Sequence, residues 1–400
     1  MRHLRVQANV LLVMTAVGAM GPPLLGPVRE ALQEAGGLSR ADLGRWVFWL
    51  GIAGATVGLA LGVGMRRTLR TTFMRAGTFV LCAGCMIFAL VRPAPGLPVL
   101  LLGAGWLVVS AGRPLVASSN GLFADLWDAS PHTGVILLHA TNSVGKVMAP
   151  LAVIVLGPVL ARTGMAYAVA FGVLAVLSLL WPAESVRHLA EVERAADRGV
   201  RLRLPGDPGV WLCAAQFAFI AGAEGGATAI LGSLVERLRP APGIWGSEAT
   251  WPAAVTAVML CGIVAGRVAF TVLSTRLRER AIIGLCLSAG LFALPAAFCG
   301  SAAVYLPGFF LTGVCFSATW PAFFALAARR YRADRTFLSF AAAFFTALGI
   351  SGCVYLVSAV GNADERLPHA FVAGTAVMGA FAVYLYLTPW GRRLAAPPPA

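Results

Sequence analysis

Three cations and one carboxylate stand inside long apolar stretches of this 400-residue chain: Arg113, Lys146, Arg267 and Glu224. A charged side chain at the centre of a bilayer costs about 2.5–3.5 kcal/mol on insertion scales, so those that persist face a cavity or one another. Lys146 is the single lysine beside 30 arginines, and His139 and Asn142 precede it by seven and four residues. At 100° per residue these three share one helical face. Such a polar stripe on an apolar helix reads as a substrate-facing surface; the alternative is a lysine that meets a carbonyl or snorkels to a lipid head group. Trp106, Ser110, Arg113 and Asn120 make a similar stripe. The planar fork of Arg113 suits a carboxylate or phosphate, or else it locks two helices through Glu224. Glu224 can carry a proton or pair with Arg113 or Lys146, with burial and a cationic partner acting in opposite directions on its ionisation. Trp320, beside Pro321, offers a ring that can stack on a sugar or close a cavity. Gln216, Thr228 and Tyr355 are further polar candidates.

The elements that must position these residues follow from composition. Hydrophobic residues make up 58% of the chain and charged residues 12%, against about 25% charged in soluble domains. Mean hydropathy is +0.80. This excludes a soluble globular fold, a disordered chain and a disulfide-stapled secreted module. One membrane span takes about 20 residues. Apolar runs bounded by charge or by Gly and Pro give twelve spans: 6–25, 43–65, 72–91, 97–122, 133–156, 165–181, 208–234, 251–273, 281–300, 302–328, 337–360 and 368–387. The first run resembles a signal peptide at its start but continues through Pro22, Pro23 and Leu25, so it is kept as a span.

The net charge of +14 is distributed unevenly. With the N-terminus in the cytoplasm, 20 arginines fall on the cytoplasmic side and 8 on the other, the asymmetry expected of an inner-membrane protein with both termini inside. The loop after the fourth span is an exception, carrying Asp125, Asp128 and His132 without arginine. A reporter after Ala400 and another within 183–207 should therefore both read cytoplasmic; a periplasmic signal from either would overturn the twelve-span topology. Trp46, Trp49, Trp181, Trp211, Trp251 and Trp390 lie near span ends and read as interface anchors.

Other chemistries are poorly supported. The eight cysteines lie in apolar runs, and Cys82-x-x-Cys85 has neither a second pair nor a nearby histidine, so no disulfide, metal or cofactor is expected. No hydrolase, metalloprotease or phosphate-loop motif is present, and the basic residues read as membrane topology rather than nucleic-acid binding. The chain is not expected to be an enzyme, and transport would be driven by gradients.

The sequence also repeats weakly at an offset near 207: Arg113-Pro114 falls opposite Trp320-Pro321, and Asn142 and Gly145 fall opposite Gly349 and Gly352. This suggests an N-terminal six-helix bundle (1–182), a cytoplasmic linker (183–207) and a C-terminal six-helix bundle (208–400), with a ligand site between the bundles. With the basic turns after spans two and eight, Gly145…Ala149-Pro150, and Gly262…Gly266-Arg267 followed by Arg276, the chain resembles the major facilitator superfamily of secondary transporters. Phe219-Ile220-Ala221-Gly222-Ala223-Glu224 is similar to a segment of its fucose–proton symporter branch.

The resemblance implies an all-α, twelve-helix fold, alternating access, and a gate built from Arg66, Arg70, Arg267 and Arg276. The family turn after span two carries an aspartate where this chain has Arg66, so the gate must find its carboxylate elsewhere. The expected partners are membrane lipid, protons and a small-molecule substrate, with the chain acting as a monomer. Substrate binding is assigned to Arg113, Lys146, His139, Asn142, Asn120, Trp320, Gln216 and Tyr355, and proton coupling to Glu224. An anionic solute, a neutral sugar or polyol, and efflux of a hydrophobic compound are alternative cargoes; a non-transporting sensor or lipid-handling protein is a further reading.

Overall fold

The computed structural model describes residues 39–65, 68–89, 97–127, 131–160, 205–235, 251–273, 288–360, 366–389 and 391–392, with single positions at 187, 190, 191, 193, 281 and 284. Among these residues there are eleven α-helices and no strand. They are α1 (Arg40–Gly64), α2 (Arg70–Ala89), α3 (Leu97–Leu126), α4 (Pro131–Leu160), α5 (Pro208–Val235) and α6 (Trp251–Leu273), followed by α7 (Ala289–Phe298), α8 (Ala302–Phe316), α9 (Thr319–Arg330), α10 (Arg335–Val360) and α11 (Leu367–Leu387). Five helical stretches, Ala41–Gly64, Val99–Leu126, Trp251–Leu273, Ala302–Arg330 and Arg335–Ala359, are long and apolar enough to cross a membrane. The predicted first and sixth spans lie outside the described residues. Of the ninth, the described helix is the ten-residue α7.

The helices are apolar on faces that meet no protein. Leu100, Val155, Val272 and Leu291 are each about two-thirds exposed or more, which suits a surface solvated by acyl chains. Where helices meet, glycine sets the distance, as expected when close backbone approach drives association in lipid. A Cβ on Gly262 of α6 would come within 2.1 Å of the Phe310 carbonyl oxygen on α8, and one on Gly313 of α8 within 2.1 Å of the Met259 carbonyl oxygen on α6. A Cβ on Gly349 of α10 would fall 1.9 Å from the Ala218 carbonyl oxygen of α5. Two contacts join the N-terminal set (α1–α4) to the C-terminal set (α5–α11) most extensively: α1 packs on α10, and α4 packs on α6.

The predicted tenth span is not one continuous helix. It is interrupted at Ser317 and Ala318, between α8 and α9. The cause lies four residues on. Pro321 has no N–H, so the Ser317 carbonyl loses its ordinary helical donor, and a backbone acceptor freed at membrane depth must be satisfied by another group.

Candidate functional site

That acceptor is taken by Arg267. Its Nε donates to the Ser317 carbonyl at 2.6 Å. Gly266 allows α6 to come this close, since a Cβ there would lie 2.4 Å from Ser317 Oγ. The same guanidinium reaches into the N-terminal set, where Nη1 donates to the His139 carbonyl at 2.9 Å and to Ser143 Oγ. Its Nη2 stands 3.6 Å from Glu224 Oε1. Arg267 is thus a fully buried cation, 1% exposed, with ties to α4, α5 and the break after α8. The resemblance implies a gate role for Arg267; its contacts join it to Glu224 and to the Ser317 and His139 carbonyls.

Glu224 is held from both sides. Lys146 Nζ of α4 donates to the same Oε1 at 3.3 Å. One carboxylate therefore faces two cations, and the trio carries a net positive charge. Arg113, the other partner the sequence offers for Glu224, goes elsewhere. Its guanidinium carbon lies over the Trp106 ring, 5.2 Å from the centroid, and its buried Nη2 finds no hydrogen-bond partner among the described residues.

His139 and Asn120 form the polar link between α4 and α3. His139 Nε2 is 2.9 Å from Asn120 Oδ1, and Asn120 Nδ2 donates to the Ala117 carbonyl at 3.1 Å, which turns the amide oxygen toward the ring. On its other side His139 meets Trp320 of α9, with ring centroids 4.4 Å apart. Trp320 stacks parallel to Phe324 at 5.5 Å, touches Phe217 at 4.8 Å and donates its indole N–H to Thr346 Oγ1 at 2.9 Å. The ring is pinned by α10 and α5 while it presents itself to α4. The remaining sequence candidates lie as follows. Asn142 is half-buried on α4. Gln216 is half-buried on α5, about two turns before Glu224. Thr228 returns its hydroxyl to the Glu224 carbonyl at 3.0 Å. Tyr355 stacks on Phe48 of α1 at 5.5 Å, within the α1–α10 contact.

A second charged network lies at the arginine-rich end. Arg70 Nη1 pairs with Asp125 Oδ2 at 2.6 Å, and Arg335 Nη1, at the start of α10, pairs with Asp125 Oδ1 at 2.5 Å. Arg335 Nε also donates to the Ala328 carbonyl at 2.8 Å. Glu193, 4% exposed, closes the other side of Arg70. Its Oε1 accepts from Arg70 N at 2.6 Å and Nε at 3.1 Å. Its Oε2 accepts from Thr71 N at 3.2 Å and Oγ1 at 2.6 Å. A carboxylate on the first amides of α2 caps that helix and complements its dipole.

Two arginines and two carboxylates thus balance, and Asp125 bridges the N-terminal and C-terminal sets. Asp125 and Glu193 are the carboxylates that meet Arg70 and Arg335 at this end. Arg66 and Arg276, the other two gate arginines read from sequence, lie outside the described residues. Asp334, in the short turn Arg332–Asp334 before α10, has its carboxyl raised above the ordinary range by burial and by the neighbouring Asp207.

Sequence reasoning missed Ser143, Ser317, Arg335 and Glu193. Ser317 carries a readable signal, because it lies four residues before Pro321. Glu193 is an acid in an arginine-rich stretch, but nothing local announces what it caps.

The whole helical arrangement has solved counterparts. The chain superposes on a major facilitator superfamily transporter, FucP, in its outward conformation with a TM-score of 0.63, 17% identity, and coverage of 97% of this chain and 98% of that one. The chain has the major facilitator superfamily fold. A variant of the E. coli fucose:proton symporter FucP matches at a TM-score of 0.60 with 18% identity over 96% of this chain and 98% of that one. A bacterial homologue of the iron transporter ferroportin, in an outward-facing state, matches at 0.67 with 17% identity over 97% of this chain and all of its own. No family model and no curated protein matches the sequence. In this fold the described helices are a multi-pass membrane assembly, and α9, with Trp320 and Pro321, is the second part of a broken span.

Proposed function

We propose that this protein is a secondary transporter of the inner membrane that works by alternating access and carries a small organic solute bearing an anionic group, with proton coupling at Glu224. The two six-helix bundles, 1–182 and 208–400, rock about the central cluster, exposing it to one side at a time. The observation that carries the anionic reading is the charge imbalance among the described mid-span residues: Lys146 and Arg267 share Glu224, and Arg113 lies apart over Trp106 with its Nη2 unpaired. A surplus of cations in a low-dielectric site favours a ligand that brings negative charge. The bridge from Arg70 through Asp125 to Arg335 supports a cytoplasmic gate closed in this conformation.

The test is uptake and counterflow in proteoliposomes with labelled gluconate and benzoate set against fucose and glucitol. The carboxylates should be carried and their accumulation should follow an imposed pH gradient. Glu224→Gln should abolish gradient-driven uptake and spare counterflow, which needs no net proton movement. Transport of the neutral solutes alone would replace this reading with a sugar or polyol symporter. Loss of both activities in Glu224→Gln would make the residue structural.

A further inference from the structure

Among the described mid-span residues, one cation keeps an unpaired donor beside the central cluster. Arg267 spends its donors on two carbonyls, a hydroxyl and Glu224. Lys146 is engaged by Glu224 at 3.3 Å. Arg113 contrasts with both. Its guanidinium carbon lies over the Trp106 ring, 5.2 Å from the centroid, and a guanidinium held over an aromatic ring can still offer N–H groups to a second partner. Its Nη2 is buried and unpaired among the described residues. A buried donor to which nothing is offered is destabilising, more so on a charged group, so the arrangement is suited to a ligand that arrives and leaves.

The shelf beneath it is rigid. Trp106 is 4% exposed and donates its indole N–H to the Val47 carbonyl of α1 at 2.9 Å, and it packs with Leu43, Val47 and Val354. Arg113 and Asn120 are seven residues apart on α3 and so project from one face two turns apart. Asn120 in turn holds His139. A ligand seated on Arg113 can therefore extend along α3 to the Asn120–His139 pair.

We infer that Arg113, backed by Trp106, is the docking point for the substrate's anionic group, and that the substrate class is a monocarboxylate with a neutral, hydrogen-bonding or ring-bearing body directed toward Asn120 and His139. This deepens the transporter reading above and rests on it. It assigns the three cations different work. Lys146 and Arg267 stabilise Glu224 within the protein, and Arg113 alone receives the ligand. Two in-plane oxygens match the edge of one guanidinium, whereas no second uncommitted cation among the described mid-span residues receives another negative group.

The experiment uses the full-length protein in lipid nanodiscs and measures thermal stabilisation and titration calorimetry with two matched pairs of probes, benzoate with benzamide and gluconate with glucitol. The wild type should be stabilised by at least one carboxylate and not by its neutral counterpart. Arg113→Gln should weaken that binding by about 10–100-fold, the worth of a charge-assisted hydrogen bond. Arg113→Lys should recover part of it, and also guards against misfolding of the glutamine variant. Arg45→Gln, at an exposed site, should bind as wild type. Unchanged carboxylate affinity in Arg113→Gln overturns the assignment, as does failure of every carboxylate to stabilise the wild type. Loss of binding in Lys146→Gln with retention in Arg113→Gln moves the docking point to Lys146 and leaves the anionic reading standing. Equal stabilisation by the neutral members overturns the anionic reading itself.

Discussion

Arg267→Met is expected to lower the stability of the detergent-solubilised protein by about 2–4 kcal/mol, the cost of leaving buried acceptors of a charged donor unmade. The larger part of this comes from backbone, because Lys146 remains to balance Glu224 at 3.3 Å. The Ser317 carbonyl, which receives Arg267 Nε at 2.6 Å, has no helical donor because residue 321 is proline. The His139 carbonyl keeps a second donor in Ser143 Oγ at 2.9 Å, so it loses less. A second substitution checks this account. Pro321→Ala restores an N–H four residues after Ser317. By itself it should change little, since the carbonyl is already satisfied. In the Arg267→Met background it should recover about 1–2 kcal/mol, a coupling of the size seen for residues sharing one network. Thermal unfolding of the four proteins of this cycle, followed by size-exclusion recovery, gives the answer. Additive effects of the two substitutions would show that Pro321 and Arg267 act independently and would sink the explanation.

This cycle also shows which part of the architecture was legible in the sequence. The apolar runs, the interrupting Trp320-Pro321 pair and the mid-span charges are local facts, and helical periodicity alone places His139, Asn142 and Lys146 on one face. A proline also states locally which carbonyl it frees. What sequence cannot state is which donor answers, since Arg267 lies 50 positions from Ser317 and 128 from His139. The same limit applies to Arg113. Chemistry offers Glu224 three cations, and packing decides among them. Gly266 lets α6 approach the break after α8, which brings Arg267 to Glu224, while Trp106 draws the Arg113 guanidinium over its ring. The motif-based gate failed to reveal its partners for a related reason. Arg66 in place of an aspartate signals that a carboxylate is missing, but nothing local shows that Glu193 reaches Arg70 from 123 residues away.

The second large effect is expected at the Arg70–Asp125–Arg335 bridge. Asp125 is the carboxylate that links Arg70 of α2 to Arg335 of α10, at 2.6 Å and 2.5 Å. Both arginine side chains are nearly buried, at 6% and 5% exposure. Asp125→Asn keeps the volume and removes the charge, leaving two buried cations on opposite sets of helices with Glu193 alone to balance them. Breaking a buried ion pair in this way costs about 3–5 kcal/mol, and the cost falls on the closed conformation, since opening separates and hydrates the arginines. A shift of about 3 kcal/mol changes a two-state ratio by roughly 150-fold, enough to bring an equilibrium of 99:1 near parity or past it. Hydrogen exchange read by mass spectrometry should therefore show faster exchange at the first turns of α2 and α10, around Arg70–Met74 and Arg335–Ser339, with the opposite ends of these helices unaffected. Adding Arg335→Met to Asp125→Asn removes the surplus cation and leaves Arg70 paired with Glu193 at 3.1 Å. It should restore part of the protection, although the bridge between the two sets is gone. Unchanged exchange in Asp125→Asn would mean that the Arg70–Asp125–Arg335 bridge does not hold this end closed, and that the α1–α10 and α4–α6 packing carry the closure instead.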